Sequence, residues 1–125
     1  MADARSPLIT LGALNAAIAV AAGAFAAHGL RDRLDARALA VFETGARYQM
    51  YHAVAIILAG IVASSGAIRG ARTAGWIFQA GIVLFSGSLY ALALTGTTAL
   101  GAVTPLGGAA FLVGWLWLAW AVWRG

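Results

Sequence analysis

The sequence predicts an all-α integral membrane protein: a four-transmembrane-helix bundle with a short amphipathic surface helix between the first and second spans. Three observations predict it. Hydrophobic residues make up 62% of the 125-residue chain and charged residues 10%, against roughly 25% charged in soluble domains. Mean hydropathy is +0.88. A soluble fold of this size exposes too much surface to hide that many apolar groups, and lipid removes the conflict. Finally, the charges are bunched, which leaves uncharged stretches long enough to cross a bilayer.

Leu8–Leu30 is the first such stretch. As a helix it would reach about 35 Å, enough for a hydrocarbon core of ~30 Å with some tilt. Arg5, the apolar run to Ala22 and Ala24-Phe25-Ala26 are compatible with a cleaved signal peptide. The run nevertheless continues to Leu30 without a charge, so a retained span is expected. Gly12/Ala16, Ala19/Gly23 and Gly23/Ala27 are small residues four apart, a spacing that lets another helix approach closely.

Residues 31–47 hold most of the charge: Arg31, Asp32, Arg33, Asp35, Arg37, Glu43 and Arg47. Asp35 can cap a helix that begins at Ala36. Leu39, Phe42 and Ala46 would share one face, while Glu43 and Arg47 stand one turn apart. This pattern suggests the surface helix, lying at the membrane boundary and leading into the second span at residues 48–68.

Thr73–Trp123 contains no charged side chain and is about twice the length that one span needs, so it folds back on itself. Thr95-Gly96-Thr97-Thr98 marks the break, and Thr104-Pro105 offers an N-cap followed by a first helical residue. The third and fourth spans are thus expected at about 74–94 and 105–123. Trp115, Trp117, Trp120 and Trp123 fill the end of the fourth. Trp120 and Trp123 suit the aromatic belt of a membrane interface, and Trp115 and Trp117 suit packing or lipid contact.

Four spans place both termini on one side, with Arg5, Arg69, Arg72 and Arg124; Arg31, Arg33, Arg37 and Arg47 fall on the other. The two sides are equally basic, so the positive-inside rule selects no orientation. The formal charge of +4 comes from scattered Arg with no interleaved aromatics, which speaks against nucleic acid as a partner. With no Cys, thiolate catalysis, disulfides and cysteine-ligated metals are excluded. No hydrolytic triad, P-loop or dinucleotide fingerprint is present, and no catalytic residue or cofactor is assigned.

The polar residues within the spans carry the functional information, since each is costly in lipid. His28 ends the first span, Tyr48, Gln49 and His52 begin the second, and Ser86, Ser88 and Tyr90 lie in the later half of the third. This gathers a candidate cluster of His28, Tyr48, Gln49, His52 and Tyr90 near one membrane face. It can tie the bundle together by hydrogen bonds, or bind a small ligand such as a quinone or a lipid headgroup. It can also present His28 and His52 to haem or a metal ion. Asn15 and Gln79 both fall in the half of their spans away from this cluster, where they can form an amide–amide hydrogen bond between helices or each bond a local carbonyl.

Two segments resemble a known family. Gly23-Ala24-Phe25-Ala26-Ala27-His28-Gly29-Leu30 and Phe42-Glu43-Thr44-Gly45-Ala46-Arg47-Tyr48-Gln49-Met50-Tyr51-His52-Ala53 are similar to the signature of domain-of-unknown-function family 423. The resemblance implies a small multi-pass protein of the bacterial inner membrane, with a related transmembrane protein in animals. It implies no activity, cofactor or catalytic residue. The expected function is therefore non-enzymatic: a helix-packing or accessory subunit whose partners are the bilayer and either further copies of itself or other membrane proteins. A small transporter or channel is the alternative, although no carboxylate lies in the first span to couple export to protons.

Overall fold

The computed structural model describes residues 6–125. Four long helices account for most of them: α1 (Pro7–His28), α2 (Ala36–Ser64), α3 (Ala71–Thr95) and α4 (Thr104–Arg124). All four are apolar and long enough to cross a membrane. Arg5 lies outside the described residues.

Local chemistry sets the ends of these helices. The Ser6 hydroxyl accepts from the Ile9 amide at 3.2 Å, and Pro7, which lacks an amide hydrogen, opens α1. Asp35 caps α2 by accepting from the Ala38 amide at 2.7 Å. Gly96, with φ of 71°, ends α3 in the left-handed conformation that side chains with a Cβ disfavour. A 3-10 turn, Thr98–Ala102, then leads into α4. Thr104 is not the N-cap expected above. It is already helical, and its hydroxyl meets that of Ser88 across to α3 at 2.6 Å.

The separate surface helix does not form. Residues 36–64 make one continuous helix of 29 residues, about 43 Å long at 1.5 Å per residue. Glu43 and Arg47 suggested a boundary, but no backbone feature interrupts the chain there, and Gly45 is held inside the helix by close packing. An added Cβ at Gly45 would lie 3.0 Å from the Tyr90 ring. The buried face, Phe42, Ala46, Gln49, Ala53, Ile56 and Gly60, runs unbroken through the expected junction.

The helices run antiparallel in chain order. On one side of the bundle Gly12 meets Ala53 and Ile57, and Gly60 meets Leu8 and Ile9. Gly107 meets Phe85 and Gly114 meets Phe78 on the other. α2 and α3 form the central pair, α1 packs on α2, and α4 packs on α3. The central helices are accordingly the more buried two. The core holds Leu8, Ile56, Phe78, Ile82, Phe111 and Leu118, with a smaller cluster of Ala26, Leu30, Phe42 and Ala93.

Candidate functional site

Two seams fasten the outer helices to the central pair, and both are built from the polar and aromatic residues of the spans.

The first seam is a chain of amides. α1 buries a stripe at Leu8, Gly12, Asn15, Ala19 and Ala26, spaced three, four and seven residues apart as one helix face requires. Asn15 stands in the middle of that stripe. Its Nδ2 donates to Gln79 Oε1 of α3 at 2.7 Å and to the Leu11 carbonyl at 3.0 Å. Its Oδ1 accepts from Gln49 Nε2 of α2 at 3.0 Å. Gln49 Oε1 in turn accepts from the Tyr90 hydroxyl of α3 at 2.7 Å. Beside the chain, the fully buried Ser86 hydroxyl donates to the Gly45 carbonyl at 2.7 Å. Three helices are thus joined through side-chain amides, a phenol and a hydroxyl.

The second seam is aromatic, between α2, α3 and α4. The His52 imidazole lies flat on the Phe111 ring, with centroids 3.5 Å apart and planes 6° from parallel. Phe78 packs against Trp115 at 4.8 Å, and Tyr48 against Phe85 at 4.9 Å. Gly81 and Gly114 make room for the rings: an added Cβ would come within 2.5 Å of Phe111 and 2.7 Å of Phe78.

His52 also makes two hydrogen bonds that fix its tautomer. Nδ1 lies 2.8 Å from the Tyr48 carbonyl, which can only accept, so Nδ1 carries the proton. Nε2 lies 3.1 Å from the Trp115 indole N–H, which can only donate, so Nε2 presents its lone pair there. Both nitrogens of the ring are in use. A haem iron or other metal at Nε2 would have to displace Trp115.

The structure therefore joins Gln49 to Tyr90 and Tyr48 to His52, and it leaves His28 apart. His28 is exposed at the last turn of α1. Among the described residues no three His, Asp or Glu side chains come together as a metal site. With α2 beginning at Ala36, Gln49 falls near the middle of its helix and level with Asn15. The two polar groups that the sequence separated into opposite halves form one chain.

Trp115 is the partner that sequence reasoning missed. An indole N–H in an apolar setting needs an acceptor, and that need was the signal available. Trp117 shows the same behaviour, donating to the Gly70 carbonyl at 3.1 Å. Trp123 is largely exposed, and Trp120 carries the Arg124 guanidinium 4.2 Å above its ring. Every buried side-chain nitrogen and oxygen among the described residues has a hydrogen-bond partner.

Comparison with known proteins agrees with the motifs. The model of a family described as a protein of unknown function, DUF423, matches residues 22–108. The UPF0382 membrane protein SSP2132 of Staphylococcus saprophyticus is 51% identical over 110 residues, 88% of this chain and 91% of the relative. The UPF0382 membrane protein YwdK of Bacillus subtilis is 50% identical over 109 residues, covering 86% and 89%. The UPF0382 membrane protein SAB0533 of Staphylococcus aureus is 46% identical over 116 residues, covering 93% and 94%. No solved structure matches. With four spanning helices, both signature segments and relatives that align along nearly the whole chain, this protein belongs to the DUF423 (UPF0382) family of membrane proteins of unknown function.

Proposed function

We propose that the chain is a non-enzymatic packing or accessory protein of the bacterial inner membrane, acting through its outer helix faces on other copies of itself or on other membrane proteins. One observation carries the reading: the polar groups of the interior are satisfied by one another. Buried polar groups held for catalysis or for a ligand are the ones that a fold leaves unpaired or strained. Here they serve as fasteners, and interaction surface remains on the outside. Both termini lie on one side of the membrane in this reading.

Purification in a mild detergent, followed by sizing and identification of co-purifying membrane proteins, tests it. An oligomer or a stoichiometric partner is expected. A strict monomer that brings nothing with it overturns the proposal. So does proton-coupled solute uptake in liposomes, which would establish a transporter. A stoichiometric haem or metal lost in His52→Ala would return the imidazole to a ligand role.

A further inference from the structure

Among the described residues, charged side chains keep to the helix ends, with two exceptions. Arg31, Asp32, Arg33, Asp35 and Arg69 lie in the turns, Arg37 and Arg72 in first turns, and Arg124 ends α4. Glu43 and Arg47 alone, among the described residues, lie well inside a helix. Both are exposed on the outer surface of the bundle rather than turned into it. The antiparallel match of α1 and α2 fixes their level. They border one groove with Ala19 and Gly23, and Gly23 is five residues before the end of α1. At 1.5 Å per residue that is about 7 Å inside the end of the span. Hydrocarbon offers these groups nothing, and charges at such depth are found paired or turned to protein or water.

The groove has a volume of about 340 Å³. Ala46, Met50 and Tyr51 complete its lining. Gly23 opens it: an added Cβ there would touch no other atom of the chain within 4 Å. Other glycines of α1 and α2 meet a neighbouring helix of the same chain, as Gly12, Gly45 and Gly60 do. Gly23 has the same lack of a side chain and no such neighbour.

We propose that this groove is the contact surface for a second copy of the chain, with Arg47 of each copy paired to Glu43 of the other. The proposal rests on the reading that the protein works through its outer faces, and commits it to one face and one occupant. The charge pattern names the occupant. Two copies inserted the same way are related by a two-fold axis along the membrane normal, so each surface meets itself. Helical side chains lean toward the helix N-terminus. The long Arg47 therefore reaches one turn up, to the level of Glu43 on the facing α2. A surface bearing both signs one turn apart is complementary to itself, and two such pairs form about the axis. Gly23, which turns outward, lets the facing backbones come close enough for this.

The test uses the full chain in lipid nanodiscs or mild detergent, co-expressed with two different affinity tags, and measures how much of one tagged copy the other retains. Wild type is expected to retain itself. Glu43→Arg and Arg47→Glu, each expressed alone, are expected to lose at least tenfold. Co-expressed with each other they are expected to recover, because the copy with two cations in the groove and the copy with two carboxylates pair only across the interface. Gly23→Leu fills the groove where the chain's own atoms leave it open, so it should keep the fold and lose retention. Wild-type levels in all three variants, or failure of the mixed pair to recover while Gly23→Leu still associates, overturns the groove and leaves the broader reading standing. A different membrane protein bound in place of the second copy also overturns it. A monomer that retains nothing overturns both.

Discussion

Gln49 shows how much a single amide can hold. Its two ends reach different helices, Asn15 on α1 and Tyr90 on α3, and each end takes the role its chemistry allows. Gln49→Leu keeps the size and removes both bonds. Interhelical hydrogen bonds in membranes are worth about 0.6 kcal/mol on average and up to ~1.7, so the variant should unfold about 1–3 kcal/mol more easily in a detergent denaturation titration. Trp115→Phe should cost about 1 kcal/mol in the same assay by leaving His52 Nε2 without its donor. Much of this was legible: the identity of the polar residues, and the two partners open to Asn15, Gln79 and a local carbonyl, both of which it takes. The link between Asn15 and Gln49 was not. It depends on how far α2 extends before Tyr48, and charge density at Glu43 and Arg47 hid that extent. The Trp115–His52 bond was hidden for another reason, since residues 63 apart meet through helix register that sequence spacing does not state.

At the scale of the element, glycine decides how closely α3 and α4 approach. Gly107 and Gly108 are neighbours in sequence with opposite surroundings. A Cβ on Gly107 would lie 2.3 Å from the Phe85 backbone nitrogen, whereas one on Gly108 would meet only the Phe85 ring edge at 3.9 Å. Gly107→Ala should therefore push the helices apart and destabilise by about 1–3 kcal/mol, as overpacking does. Gly108→Ala should be neutral or stabilising by up to about 1 kcal/mol, because alanine favours the helix. Thermal unfolding of the two variants side by side checks the contrast. Composition located the spans, and it also suggested that small residues would mark helix contacts. It could not say which ones. Of the α1 residues singled out, Gly12 and Ala19 turn inward and Gly23 turns outward, and only the register against α2 separates them. The surface helix failed for a related reason. Amphipathic charge and helical backbone were both present at residues 36–47, but the segment continues straight into the span and packs into the bundle, with Gly45 close to Tyr90, a contact between residues far apart in the chain.

For the whole molecule, the order of the helices places α1 and α4 on the outside of a central pair. Leu8 against Gly60, and Ala121 against Gly70, bring the start of α1 and the end of α4 to the end where α2 passes into α3. Single cysteines introduced at Ser65 and Gly125 should therefore react with an impermeant thiol reagent from the same side of sealed vesicles, and one at Thr98 from the opposite side. Reaction of Ser65→Cys and Gly125→Cys from opposite sides would contradict the four-span arrangement.

The seams have one further physical consequence. Amides, a phenol, serine hydroxyls and an imidazole that both donates and accepts carry no formal charge, and the described residues put no Asp, Glu or Arg among them. A membrane potential does about 2.3 kcal/mol of work per elementary charge per 100 mV. In this interior it finds no charge to move, so energising or depolarising the membrane leaves the balance of forces within the core where it was.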